Sequence, residues 1–172
     1  MKKKLKIFLV LIIIFACLIG CTSKKKKEEK VLNLLDDEVI LENINYKLDK
    51  EESEYGIKYR IASNFRKTSL TNAINYFSED INDSPYFVIR IFHYKNKSID
   101  YAINDSTESY DKKEDVKINN IDYTKVHFIN YTKADVNIYF HKHNEDVYAF
   151  VFTSGLDLSR LEDIFLKSIS YE

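Results

Sequence analysis

Two stretches, Tyr86 to Tyr94 (YFVIRIFHY) and Val147 to Thr153 (VYAFVFT), are almost wholly β-branched or aromatic. A strand that turns apolar side chains to both sides must be covered on both sides. Each therefore predicts a sheet strand held between two layers. Around the second stretch, Asp115 to Ile118, Ile121 to Tyr131 and Ala134 to His141 also read as strands. Asn119-Asn120 supplies a two-residue hairpin turn between the first two, because Asn tolerates positive φ. In Ala134 to His141, Val136, Ile138 and Phe140 alternate with Asn137, Tyr139 and His141, the polar parity of the strand. These four runs predict consecutive antiparallel strands.

Further upstream, Asn43 to Leu48 and Gly56 to Ala62 predict strands joined by a turn at Glu51-Glu52-Ser53-Glu54, and Ala73 to Phe77 predicts a short strand. Val31 to Leu41 suits either a helix, through Leu32, Leu35 and Val39, or a strand, through Val39-Ile40-Leu41. Asp80 to Pro85 is turn-like in composition. Two helices are expected. Ser98 is placed to cap one running to Asn104, with Ile99 and Ala102 inward. Gly155 ends the last strand, and Asp157 or Ser159 caps the other helix, Ser159 through the capping box Ser159-x-x-Glu162. Leu158, Leu161, Phe165 and Ile169, with Ile164 beside them, form its inward stripe. The pattern predicts an α+β domain, an antiparallel β-sheet with helices packed on its faces.

The front of the chain has a different character. Lys2, Lys3, Lys4 and Lys6 precede an uncharged run from Ile7 to Ile19, the charged and apolar regions of a secretory signal. The run is short for the hydrocarbon core of a bilayer, which argues against a permanent span. The next residues, Leu18-Ile19-Gly20-Cys21, resemble the lipobox of bacterial lipoproteins. The resemblance implies diacylglyceryl transfer to the Cys21 thiol, cleavage after Gly20, and anchoring on the extracytoplasmic face of the cell membrane. Residues 1–20 are then a signal peptide, 21–30 a polar, low-complexity tether expected to be disordered, and 31–172 a single domain.

Removing the signal takes four lysines and leaves 22 basic against 27 acidic residues, a net charge of −5. The tether carries +3, so the domain carries −8. Lys24 to Lys27 and Lys30 suit a contact with anionic lipid. An acidic domain is poorly suited to nucleic acid, whose capture rests on neutralising phosphates. Cys17 leaves with the signal and Cys21 is modified, which excludes disulfides and thiol catalysis from the domain.

Tyr59-Arg60-Ile61-Ala62-Ser63-Asn64-Phe65, and the ending from Tyr148-Ala149-Phe150-Val151-Phe152 through Phe165-Leu166-Lys167-Ser168-Ile169, resemble the PsbP-like α+β family. Ala62 stands where a Pro is common in that family, and Phe65 where a Trp is frequent. The resemblance covers roughly residues 40 to 172. It implies an antiparallel sheet with helices on its faces, no catalytic residues, and a role as a binding or assembly module; the partner expected for the anchored domain is a membrane or envelope protein.

Chemistry-bearing motifs are few. With Gly56 and Gly155 as the glycines after the signal, no P-loop, dinucleotide fingerprint or Gly-x-Ser-x-Gly elbow is present. No catalytic residue and no cofactor are expected. His141 and His143, two apart on a strand, point the same way and are the candidate metal ligands of an alternative reading as a metal- or small-ligand-binding lipoprotein, with His127 or His93 as a third. The acidic groups Asp36-Asp37-Glu38 and Glu51-Glu52-Ser53-Glu54 read as solvated faces, and Asp80-x-Asn82-Asp83 lacks the Gly and Glu of a calcium loop. Tyr86, Tyr94, Tyr123, Tyr131 and Tyr139 fall on the expected central strands, as core or as a stacking surface.

Overall fold

A computed structural model describes residues 38–41, 44–78 and 87–172. The signal, Leu18, Ile19, Gly20, Cys21, the tether, and the turn expected at Asp80 to Pro85 lie outside them. Strands β1 (Glu38–Leu41), β2 (Ile44–Lys47), β3 (Lys50–Glu54), β4 (Ile57–Ile61), β5 (Arg66–Ser69), β6 (Ala73–Phe77) and β7 (Phe87–Tyr94) precede helix α1 (Ile99–Ser106). Then come β8 (Lys112–Ile118), β9 (Ile121–Ile129), β10 (Asp135–His143), β11 (Asp146–Ser154), helix α2 (Ser159–Lys167) and β12 (Ser170–Tyr171). Among the described residues no helix is long and apolar enough to cross a membrane.

Seven strands form one antiparallel sheet in the order β5-β6-β7-β11-β10-β9-β8. The two doubly apolar runs, β7 and β11, are neighbours near its middle, as their composition demands. Along β11, Val147, Ala149 and Val151 point to one face and Tyr148, Phe150 and Phe152 to the other, all nearly inaccessible. The first face is closed by α1, whose Ala102 and Ile103 pack with Val126, Val136, Ile138 and Phe140. Ser98 caps α1 as expected, its Oγ accepting the Tyr101 N–H at 3.1 Å.

The second face is closed by α2 together with a three-stranded sheet, β12-β4-β3. Phe165 of α2 is the hub, its ring 5.6 Å from Tyr59 of β4, 6.1 Å from Phe150 and 5.6 Å from Phe152. The Tyr59 and Tyr76 hydroxyls meet at 2.7 Å across the same interface. Burial and this pairing push the Tyr59 phenol far above its ordinary pKa.

Three expectations are corrected here. Glu51 to Glu54 is a strand, not a turn: the turn is Tyr55-Gly56, both at positive φ (56° and 78°). The glutamates sit on the outer edge of the small sheet, where Lys67 bridges Glu52 and Glu54 at 2.8 and 2.6 Å. Next, the polar Asn137-Tyr139-His141 parity, whose His141 is only partly exposed, is not an open face. It lies on the second face, under α2 and the small sheet, and Tyr139 is 5 % exposed. Last, Glu162 does not reach back to Ser159 in a capping box. The N-cap is Leu158, with no side-chain cap bond, and Asp157 Oδ1 accepts the Ser159 N–H at 2.9 Å.

Candidate functional site

Where β11 ends and the chain turns through Gly155 into α2, an open cleft of about 300 Å³ lies beside the sheet, lined by Lys125, Asn137, Ser154, Asp157, Ser159 and Glu162. Its floor follows from strand alternation. Asn137 and Tyr139 are two apart on β10 and share a face; Lys125 stands opposite Tyr139 on β9. Glu162, in the first turn of α2, drops onto them and is 4 % exposed. Its Oε1 accepts from Asn137 Nδ2 at 2.8 Å and its Oε2 from the Tyr139 hydroxyl at 2.6 Å. Lys125 Nζ lies 3.9 Å from Oε2 and 5.0 Å from the centroid of the Tyr139 ring. Burial first, and the adjoining Glu162 second, push the Tyr139 phenol well above its ordinary pKa.

This constellation fixes a shape more than it offers a reagent. Each carboxyl oxygen of Glu162 already accepts one hydrogen bond from a protein donor, which fixes the orientation of the group at the edge of the cleft. What a ligand meets is the half-buried Lys125 ammonium and a rim bearing Asp135, Asp157 and Ser159. Glu162 was open to detection in the sequence. It follows Leu161 and precedes Phe165 by three, at the border of the inward stripe.

At the other end of the same face, rings run across four adjacent strands. Tyr148 pairs with His141 on one side and His93 on the other. His93 stacks between Tyr55 at 5.2 Å and Tyr148 at 5.1 Å, and its Nε2 meets Asp146 Oδ2 at 2.7 Å. His141 lies 5.5 Å from Tyr123 and 5.0 Å from Tyr171, while His143 stacks on Tyr171 at 4.2 Å. His143 is the last residue of β10. The buried hydroxyls of Tyr123 and Tyr171 have no hydrogen-bond partner among the described residues.

The candidate ligands are thus only partly brought together. The His141 and His143 rings are 6.3 Å apart, but His93 is engaged by Asp146. His127 stands opposite Asn137, four residues along β10 from His141 or about 13 Å, and pairs with Asp135 at 3.1 Å. Among the described residues no three His, Cys, Asp or Glu side chains are grouped to hold a metal ion. Of the tyrosines, Tyr94, Tyr123 and Tyr139 are core, while Tyr131 is 98 % exposed. Tyr86 lies outside the described residues.

His141 carries a pH dependence. Its Nδ1 donates to the Asp122 carbonyl at 2.8 Å, which fixes the tautomer. Burial depresses its pKa below 6.5, and the neighbouring His143 adds to this, while the Asp122 carbonyl opposes it. The unfolded chain then binds the proton more readily than the folded one, so stability is full above about pH 6.5 and falls as pH drops below it. Urea unfolding between pH 7 and pH 5 is expected to show a flatter decline for His141→Gln than for the wild type. Parallel declines would contradict the assignment.

The fold is an antiparallel α+β one of PsbP-like type. No protein-family model matches the sequence, and no curated protein matches it. Among solved structures, the solution structure of cyanobacterial PsbP (CyanoP) from Synechocystis sp. PCC 6803 is similar with a TM-score of 0.54 at 8 % identity, over 72 % of this chain and 92 % of that one. A crystal structure of a protein from Bacteroides thetaiotaomicron is similar with a TM-score of 0.50 at 14 % identity, over 68 % of this chain. The similarity spans 45 % of the length of the Bacteroides protein.

Proposed function

We propose that the protein is a bacterial lipoprotein, cleaved after Gly20 and held on the extracytoplasmic face of the cell membrane by acyl chains on Cys21, whose domain acts by binding an envelope protein and not by catalysis. The observation that supports this best is the Glu162 cleft. It is preformed, and Asn137 and Tyr139 each donate a hydrogen bond to its carboxyl group and fix that group in place. A concave site with a few fixed polar groups suits recognition of a small ligand, the alternative reading, or of a single side chain that a partner inserts. A general base, by contrast, needs hydrogen-bond reach to a proton on its substrate.

The anchor has its own test. Two or more acyl chains hold a protein stably where one does not. Cys21→Ala is expected to move the protein from the membrane fraction to the soluble fraction of lysed cells. Complete retention of Cys21→Ala with membranes would overturn lipid anchoring. Binding is tested by cross-linking on intact cells from the rim of the cleft.

A further inference from the structure

We propose that the tip of the β9–β10 hairpin, with Tyr131 and Ile129, docks on the bilayer surface to which the chain is tethered; this rests on the lipid-anchor reading above. The turn is rigidly built. Asn130 Oδ1 accepts from the Thr132 N–H at 3.0 Å, the Thr132 hydroxyl at 2.7 Å and the Ala134 N–H at 3.0 Å. The Asn130 and Lys133 N–H groups donate to the carbonyls of Ala134 and Asn130, and Lys133 takes a φ of 63°. None of this needs an aromatic residue, yet Tyr131 stands at the tip 98 % exposed, with Ile129 beside the turn 60 % exposed.

The fold places this tip near Glu38, the first described residue after the tether. The Glu38 carbonyl accepts from Arg160 Nε of α2 at 2.9 Å. Ser159, the residue before it, lines the cleft together with Asp135, the first residue of β10 after the tip. Seventeen residue steps separate Cys21 from Glu38, a reach of at most about 60 Å. Tethering at that range raises the effective concentration of bilayer at the tip, so a small contact suffices.

The chemistry of the tip selects the bilayer over a protein. Two exposed side chains fall far short of the roughly 800 Å² per partner of a stable protein interface. Tyrosine is a residue type of the membrane–water interface, its ring among the acyl chains and its hydroxyl among the headgroups. Lys133 in the same turn meets anionic lipid. The nearest acid on β10, Asp135, is turned to His127.

The chain contains no tryptophan, so Tyr131→Trp makes the tip its own reporter. The full-length lipidated protein would be placed in phosphatidylethanolamine and phosphatidylglycerol vesicles, with flotation and indole emission read together. Tyr101→Trp is the control. Tyr101 is exposed on α1 and packs against Tyr94, which pairs with Val147 at the opposite end of the strands. Expected is a blue-shifted Tyr131→Trp emission, quenched by bromine-labelled acyl chains, with Tyr101→Trp remaining water-like. Protein that floats with a water-like Tyr131→Trp emission overturns docking alone. Protein that does not float overturns the anchor and the docking with it.

Discussion

Replacing Phe165 by alanine is expected to cost about 3–5 kcal/mol of folding stability, the range for a fully buried Phe in a well-packed core. Phe165 is wholly inaccessible and touches Tyr59, Phe150 and Phe152, so it joins the small sheet and α2 to the second face of the large sheet in one contact. Its loss opens a cavity that neither layer closes, because the strands on both sides are fixed by their own ladders. A domain of this size holds only about 5–15 kcal/mol in total, so the variant approaches the threshold of unfolding. Urea unfolding followed by far-UV circular dichroism measures the change. A loss below about 1 kcal/mol would show that the second layer is held by other contacts.

Glu162→Ala is the second large effect, expected at about 3 kcal/mol, by a different route. The alanine strands a buried donor, the Tyr139 hydroxyl, and a part-buried one, Asn137 Nδ2; a buried donor left unsatisfied costs about 1–3 kcal/mol, and the part-buried one adds less. Glu162→Gln keeps an oxygen acceptor and should lose roughly half as much by the same reasoning. Gln keeps the volume of Glu, so a loss in Gln that is smaller than in Ala identifies the hydrogen bonds as the cause. A loss confined to Ala would assign it to packing.

Much of this architecture was legible in the residues. β7 and β11 announced themselves by being apolar on both sides, and the Asn119-Asn120 turn, at φ of 48° and 64°, set the β8–β9 hairpin. Helix α1 followed from Ser98, and the Leu161-Phe165 stripe placed α2. The resemblance to PsbP-like proteins agrees with the observed fold. What escaped was written in polar residues. β3 alternates Lys and Glu with Ser on the edge of a small sheet, so no apolar period marks it. β5 (RKTS) has no hydrophobic residue, and β12 is two residues long.

The cleft escaped for a related reason. Asn137 and Tyr139 alternate with apolar neighbours, and alternation alone states which residues share a face without stating which face is covered. Glu162 satisfies the pattern of a capping box, but the helix turns that side of its first turn to the sheet, and two donors on β10 capture the carboxyl group. Tyrosine count gave no guide either, since Tyr123 is 1 % and Tyr131 98 % exposed within one hairpin region.

The most direct test of the binding account is site-specific photo-cross-linking on intact cells. A photoreactive side chain at Asp157, on the cleft rim, is compared with one at Lys142, exposed beyond the ring cluster on β10. The account predicts one discrete protein adduct from Asp157, absent from Lys142 and lost from Asp157 when Cys21→Ala releases the protein from the membrane. Equal labelling from both positions, or none from Asp157 in anchored protein, would contradict it.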